Sequence, residues 1–202
     1  MIRENRSKLE LLMKTQFITS IKFLFLMTIL TGFIYPLLIN GVAQLAFYSK
    51  ANGSLIIKNG KIVGSQLIGQ KFDSSVYFWS RPSAIGYNPI PSGASNYGPT
   101  SDTLRRQVTA RRALFAKMNS LKEPLSTPIE MAFASGSGLD PHISPQAAMM
   151  QVDRVAIARH FDTIQKEKLI EKIRILTEDP QFFFLGKQRI NVLVLNLELD
   201  KI

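Results

Sequence analysis

The sequence contains no cysteine and only two histidines, His142 and His160, in 202 residues. Without cysteine there is no disulfide, no thiolate metal site and no cysteine nucleophile, whichever compartment the protein occupies. The two histidines are eighteen positions apart, only Asp140 lies near the first, and no HExxH motif occurs. We therefore expect no resident metal, and we expect His142 to hydrogen-bond within its own loop.

The sequence motifs of common enzyme active sites are also missing. Neither GxxxxGK[ST] nor GxSxG occurs, and the glycines around Ser137 lack the remaining pattern of a dinucleotide-binding fold. Ser135 or Ser137 with His142 and Asp140 supplies the residue types of a hydrolase triad, but a triad is defined by geometry. The sequence favours a non-catalytic interaction role, and it leaves a membrane-anchored extracytoplasmic hydrolase or binding protein as the alternatives.

The longest stretch without charge runs over residues 23–48, FLFLMTILTGFIYPLLINGVAQLAFY. Crossing a bilayer as a helix takes roughly 20 apolar residues. Pro36 and the two glycines inside the stretch are tolerated in membrane helices better than in soluble ones. Because the stretch exceeds the roughly 7 to 15 apolar residues of a signal peptide, we predict an uncleaved transmembrane helix over residues 23–48.

The charges before this helix predict its orientation. Five basic residues precede it (Arg3, Arg6, Lys8, Lys14 and Lys22), against two acidic residues (Glu4 and Glu10). The positive-inside rule then places residues 1–22 in the cytoplasm and residues 49–202 outside, in a bacterial inner membrane. A formal net charge of +10 can also indicate a nucleic-acid partner. We expect none, because the domain is exported and has no reading motif.

The exported part predicts a single α+β domain. LIIKNGKIVG, from Leu55, predicts a hairpin around Asn59-Gly60, and residues 80–100 predict a long loop rich in Pro, Gly, Ser and Asn. Helical spacing predicts a helix of about 17 residues from Thr100, with a solvated basic face. We predict two more helices, one opening at Ser144-Pro145 and one over residues 163–176, and a terminal strand in INVLVLNLEL.

Six motifs, in order along the chain, carry a resemblance to a known family. They are GSQLIGQKF from Gly64, YFWSRPSAIGYN from Tyr77, SGASNYGPT from Ser92, SGSGLDPHISPQAA from Ser135, QVDRVA from Gln151 and INVLVLNLELD from Ile190. Together with the N-terminal span, they resemble the C subunit of the Kdp-type potassium-transporting ATPase over nearly the whole chain. The resemblance implies a non-catalytic subunit of a high-affinity, ATP-driven potassium uptake pump.

The resemblance also implies partners and candidate residues. The partners are a channel-like potassium-translocating subunit, a P-type ATPase subunit and a small single-span subunit. The family's C subunit is described as an assembly factor and a catalytic chaperone that raises the ATP affinity of the ATPase subunit. The resemblance implies no cofactor in the C subunit itself, and any association with ATP would be through the partner ATPase subunit. The glutamine at Gln151 is the nucleotide candidate, although the predicted topology places it outside the cell. A helix-surface amide that caps or packs is the competing interpretation.

The remaining candidates lie in the family-like loops and are interpreted as loop-holding or interface residues. Among them, Arg81 and Asp140 are interpreted as interface or loop-fixing charges. We also expect the basic face of the helix that begins near Thr100 to point away from a potassium entrance. The full set is Arg81, Pro82, Ser83, Ser92, Gly93, Ser95, Asn96, Gly98, Pro99, Ser137, Gly138, Asp140, His142, Arg154, Asn191 and Asn196.

Overall fold

The computed structural model describes the backbone of residues 2–202 and the side chains of residues 11–202. It divides into two compact units, one ending at Gly53 and the other comprising Ser54–Ile202. Arg3, Arg6 and Lys8, on which the orientation prediction partly depends, lie outside the described side chains. The cytoplasmic segment 1–22 therefore stays a prediction.

The first unit is helical almost throughout. A π-helical turn interrupts the long helix directly before Pro36, and in this turn the N–H of Tyr35 bonds the carbonyl of Leu30. Proline has no N–H and its ring crowds the preceding turn, so a locally wider turn accommodates it. The elements are α1 (Ile2–Ile29), the π turn (Leu30–Ile34), α2 (Tyr35–Ala46) and the short α3 (Tyr48–Ala51).

Within the part of the chain whose side chains are described, one continuous helical stretch has the length and composition to cross a membrane. It covers Leu11–Ala46, and its apolar side chains are exposed. Its hydroxyls bond the carbonyls four residues earlier, as Thr28 does to Leu24 at 2.8 Å and Thr31 to Met27 at 2.7 Å. Such bonds within the helix suit the hydrocarbon core of a bilayer, which offers no hydrogen-bond partner for a polar group. The prediction of one long apolar N-terminal helix is confirmed.

The second unit begins with the predicted hairpin. Strand β1 (Leu55–Lys58) pairs antiparallel with β2 (Lys61–Ser65). The two turn residues have left-handed backbone, with φ of 53° at Asn59 and 73° at Gly60. A type I′ turn requires positive φ at both positions, and Asn-Gly adopts it readily. From residue 66 to residue 101 the chain forms no helix or strand, which confirms the long loop.

The three predicted helix starts are present, each with a side-chain cap, but a turn at Met150–Gln151 divides the predicted second helix into two short helices. Ser101 accepts the N–H of Leu104, Ser144 accepts that of Ala147, and Asp162 forms a capping box with Gln165. These bonds satisfy N–H groups that have no partner inside a helix. The helices are α4 (Asp102–Met118), a 3₁₀ turn (Pro124–Ser126), α5 (Ile129–Ala132), α6 (Pro145–Met149), α7 (Val152–Ala158) and α8 (Thr163–Ile175).

The predicted terminal strand is wrong. Only Ile190–Asn191 (β4) is extended, pairing with β3 (His142–Ile143), and helix α9 (Val192–Leu199) follows. Asn191 caps this helix by accepting the N–H of Val194 at 3.2 Å. Helical spacing then places Val192, Leu195 and Leu199 in the core. The β-branched composition of INVLVLNLEL suggested a strand, but burial against neighbouring helices outweighs such propensities.

The α+β class is confirmed, with helices packed around two small two-stranded sheets. The core is a single cluster to which α4, α6, α7, α8, α9 and the loop before α4 all contribute. Its largest fully buried apolar side chains are Phe78, Phe115, Leu169, Ile173, Ile190, Leu195 and Leu199. Phe78 belongs to the irregular segment 74–79, so this loop segment forms part of the core itself.

Candidate functional site

Gln151, the nucleotide candidate, is fully buried between α6 and α7, with 0% of its surface exposed. Its Oε1 accepts two hydrogen bonds at 2.7 Å, from the backbone N–H of Trp79 and from Nη2 of Arg154. Its Nε2 donates to the carbonyl of Ala147 at 3.1 Å. The polar atoms of the amide are thus bonded inside the domain, the arrangement of a structural amide. Its role as a nucleotide ligand stays a prediction.

Arg154, one turn further along α7, is the hub of the same network. Its Nε donates to Oδ1 of Asn119 at 3.0 Å, and its Nη1 donates to the carbonyls of Ser75 at 2.7 Å and Tyr77 at 3.0 Å. Its guanidinium carbon lies 4.6 Å from the ring centroid of Trp79. The described ion pairs include none to Arg154. Burial lowers its pKa to about 10, so the side chain is charged at neutral pH.

Asn196 and Asn191 connect the C-terminal segment to the preceding loops. Asn196 accepts the N–H of Phe78 at 2.8 Å and donates to its carbonyl at 3.0 Å, so one amide satisfies both backbone groups. Asn191 donates to the carbonyl of Gln66 at 2.7 Å. Buried backbone N–H and C=O groups without a partner in a β-sheet need another hydrogen-bond partner, and here side-chain amides provide it. Side chains from α7 and α9 therefore supply segment 74–79 with the backbone hydrogen bonds that a neighbouring β-strand would otherwise provide.

Arg81 and Asp140, the two charged residues predicted to fix a loop or an interface, form a half-buried ion pair. Nη1 of Arg81 lies 2.7 Å from Oδ2 of Asp140. The other carboxylate oxygen accepts the backbone N–H of His142 at 3.0 Å and lies 3.2 Å from its Nδ1. Burial alone raises the pKa of Asp140, but the bonds from His142 and Arg81 outweigh it and hold that pKa at about 2. The expectation that His142 bonds within its own loop is confirmed.

The loop after Arg81 is folded back on itself beside this ion pair. The hydroxyl of Ser83 accepts the N–H of Tyr87 at 2.9 Å, and the Tyr87 hydroxyl donates a short hydrogen bond to the carbonyl of Arg81. Burial raises the pKa of Tyr87 to about 12. The carbonyl of Pro82 accepts the N–H of Ser135 at 3.2 Å. Family-like motifs that are distant in sequence thus meet in space.

Gly138 marks the closest approach of these two loops. It has φ of +71°, and a Cβ there would lie 2.8 Å from the carbonyl oxygen of Gly93 and 2.6 Å from Ile85. The N–H of Gly93 donates to the carbonyl of Ser137 at 3.0 Å. Only glycine fits such a position without displacing backbone. The SGASN and SGSG motifs therefore contact each other through their backbones.

The other loop candidates are not brought to this junction. Ser95 is half-buried, whereas the rest lie on the exposed part of the loop that leads into α4: Ser92, Asn96, Gly98 and Pro99. Asn96 has a left-handed backbone, with φ of 52°. These residues belong to the surface, and their role as interface residues stays a prediction.

A hydrolase triad is not assembled around His142. The hydroxyl of Ser137 accepts the N–H of Leu139 at 3.1 Å, and that of Ser135 accepts the N–H of Asp140 at 3.5 Å. Among the residues described, neither hydroxyl hydrogen-bonds the imidazole. The Asp140–His142 contact is therefore part of a loop junction, without an activated nucleophile.

Sequence reasoning missed two features of this domain. Asn119, at the C-terminal end of α4, carries a bond to Arg154, and no sequence motif pointed to it. The second feature is an exposed apolar face on the hairpin, formed by Leu55, Ile57 and Ile62. Ile57 and Ile62 are cross-strand partners, so they form one continuous patch. The run of three apolar residues in β1 was the available signal, because successive residues of a strand point to opposite faces and one face of a hairpin can stay uncovered.

A helix with the length and composition to span a membrane, followed by an α+β domain, defines the class of membrane-anchored proteins. The family described as "K+-transporting ATPase, c chain" matches residues 17–201. The chain is 46% identical over 190 residues to the potassium-transporting ATPase KdpC subunit of Geotalea uraniireducens, covering 91% of this chain and 96% of the relative.

Two other similar relatives carry the same description. The KdpC subunit of Methylococcus capsulatus is 47% identical over 179 residues, covering 86% of this chain and 90% of the relative. That of Mycobacterium bovis is 41% identical over 192 residues, covering 94% and 100%. The chain belongs to the KdpC family, the non-catalytic membrane subunits of the Kdp potassium-transporting ATPase complex. The family resemblance seen in the sequence is confirmed.

Proposed function

We propose that this chain assembles the pump through two contacts, one made by its membrane helix and one by the exposed hairpin face. The observation that carries the second contact is the Ile57–Ile62 pair, which is exposed on a hairpin that begins within ten residues of the span. A contiguous exposed apolar patch is a candidate interaction surface. The proposed occupant of the face is the channel-like potassium-translocating subunit.

The proposed orientation has the N-terminus in the cytoplasm and the domain outside, over the extracytoplasmic mouth of the channel subunit. Lys14 and Lys22 precede the uncharged stretch 23–48, the position in which the positive-inside rule places them for this orientation. Because the chain has no native cysteine, single cysteines test the orientation cleanly. A membrane-impermeant maleimide should label Leu125→Cys on intact cells or spheroplasts and should label Lys14→Cys only after lysis; the reverse pattern refutes this topology.

The basic face of α4 is proposed to point away from the potassium path. Arg105, Arg106 and Lys117 are exposed on this helix, and cations lining the path would raise the electrostatic cost of bringing K⁺ to it. Arg105→Gln with Arg106→Gln should leave the apparent potassium affinity of the complex unchanged. A clear gain in potassium affinity would show that the face lines the path.

The effect on ATP affinity is proposed to act through assembly with the P-type ATPase subunit and the small single-span subunit. ATP binds in the cytoplasm, whereas the proposed orientation places Gln151 outside, and the Gln151 amide is buried. Gln151→Ala should therefore lower domain stability and complex yield together. A variant that assembles normally but has a raised KM for ATP would instead support the nucleotide role.

The central test is co-purification of the tagged full-length chain from membranes of cells grown at limiting potassium. Ile57→Asp with Ile62→Asp should reduce recovery of the other Kdp subunits and potassium-stimulated ATPase activity. Central apolar anchors of interfaces are each worth about 2 kcal/mol or more, which corresponds to about 30-fold in affinity. Leu125→Asp, at an exposed apolar site outside the hairpin, is the matched control. Equal recovery from the hairpin variant and the control would refute the hairpin contact.

A further inference from the structure

A second exposed apolar feature lies far from the hairpin in sequence, in the connection between α8 and β4. Phe182, Phe183 and Phe184 are 76%, 93% and 76% exposed, and Leu185 beside them is half exposed. We name residues 182–185 the phenylalanine tip. Three consecutive phenylalanines with this exposure form a contiguous apolar patch, a surface feature that marks an interaction site.

The phenylalanine tip is presented on an ordered stalk. Backbone bridges join Gln181 to Leu185 and Glu178 to Arg189 below it, and the side chains of Glu178 and Arg189 form an ion pair at 2.9 Å. Phe182 and Phe183 both have left-handed backbone, with φ of 53° and 68°. Bulky residues avoid this region, and backbone strain at exposed positions is associated with function. The stalk therefore holds the rings away from the domain.

The size of the phenylalanine tip favours lipid over protein as its occupant. An aromatic side chain buries about 150–250 Å² at most, so three rings supply about 600 Å². A stable protein interface takes about 800 Å² from each partner, with shape complementarity across a broad patch. A narrow apolar tip fits better into the boundary between lipid headgroups and acyl chains, which accepts apolar residues without requiring a matching surface.

The short covalent connection to the membrane helix and the net positive charge of the domain also favour lipid as the occupant of the phenylalanine tip. Residues 47–53, between the span and the domain, reach at most about 25 Å when fully extended, so the domain is tethered near the bilayer surface. Tethering makes insertion intramolecular, and modest intrinsic affinity then suffices. Residues 54–202 contain nineteen basic and thirteen acidic residues, and the exposed Lys187 lies two positions beyond the end of the tip. Anionic headgroups attract such a surface.

We propose that the phenylalanine tip inserts into the headgroup–acyl boundary of the membrane that the N-terminal helix spans. The insertion gives the domain a second attachment point and restricts its rotation about the tether. This proposal goes beyond the assembly role, because it requires no other Kdp subunit. It concerns residues 182–185, whereas the proposed protein contact concerns the hairpin.

The test uses the full-length chain alone in nanodiscs, with an environment-sensitive fluorophore on Phe183→Cys. Doxyl-labelled lipids should quench this fluorophore and its emission should shift to the blue, more strongly when the nanodiscs contain anionic lipid. The same fluorophore on Leu125→Cys, an exposed site elsewhere in the domain, is the control and should stay unquenched. Adding Phe182→Ser and Phe184→Ser should weaken partition by about tenfold for each change.

Two results would overturn the proposal. One is quenching at Phe183→Cys no greater than at Leu125→Cys. The other is burial of the fluorophore only after the remaining Kdp subunits are added, which would assign the tip to a protein partner. Because the tip side chains are exposed, the serine changes should leave the thermal unfolding midpoint of the chain unchanged. Hairpin variants should not affect lipid quenching, so this test and the assembly test fail independently.

Discussion

Replacing Arg154 by methionine removes the hub of the buried network while keeping a long, unbranched side chain. Arg154 makes four hydrogen bonds of 2.7 to 3.0 Å, to the side chains of Asn119 and Gln151 and to the carbonyls of Ser75 and Tyr77. Hydrogen bonds to a charged group contribute about 1.5–3 kcal/mol each. Burying the guanidinium costs several kcal/mol, which offsets much of that sum.

The expected net loss is about 3–5 kcal/mol, because the change leaves buried acceptors without a donor. For a domain of this size, that loss lowers the unfolding midpoint by about 10 °C. The assay is thermal or urea unfolding of the full-length chain in detergent, followed by fluorescence. Trp79 is the only tryptophan and lies against Arg154, so its emission reports on this site directly.

Arg174→Met is the matched control, since Arg174 is exposed on α8 and its ion pair to Glu171 is 3.7 Å long. That change should alter stability by less than about 0.5 kcal/mol. Arg154→Lys should lower the free energy of unfolding nearly as much as Arg154→Met, because a lysine ammonium lacks the planar fork of donors with which Arg154 bonds its several acceptors. An Arg154→Met midpoint within error of the Arg174→Met midpoint would refute the reasoning.

Three further substitutions probe the other contacts by the same unfolding assay. Asn196→Ala should cost about 2–3 kcal/mol, because it leaves the N–H and carbonyl of Phe78 unpaired in the core; no loss would show that another group replaces the amide. Gly138→Ala should cost about 1–3 kcal/mol, since its Cβ meets the Gly93 carbonyl at positive φ; Gly136→Ala, at an open position, is its control. The pKa of Asp140 is about 2 in the folded domain, below its ordinary 3.8, so its contribution is present above pH 4 and lost as the pH falls from about 4 to 2. Asp140→Asn should flatten that acid dependence, and an unchanged acid profile would contradict the assignment.

The sequence alone was sufficient for features that depend on neighbours along the chain. The span, the Asn59-Gly60 hairpin and the starts of α4, α6 and α8 are each determined by hydrophobic run length, turn chemistry or a capping side chain within a few residues. The family motifs also identified the loops that meet around Gly138. They did not indicate which loop contacts which, because that pairing is set by folding.

The tertiary structure decided the C-terminal segment and the role of the buried polar residues. In α9, burial of Val192, Leu195 and Leu199 against neighbouring helices outweighed β propensity. From the sequence, Gln151 was interpreted as a nucleotide candidate or a helix-surface amide, and Arg154 as a loop-holding or interface residue. They are buried because an irregular loop segment needs donors and acceptors for its backbone once it enters the core. That requirement exists only after distant segments pack together, so no local pattern in the sequence expresses it.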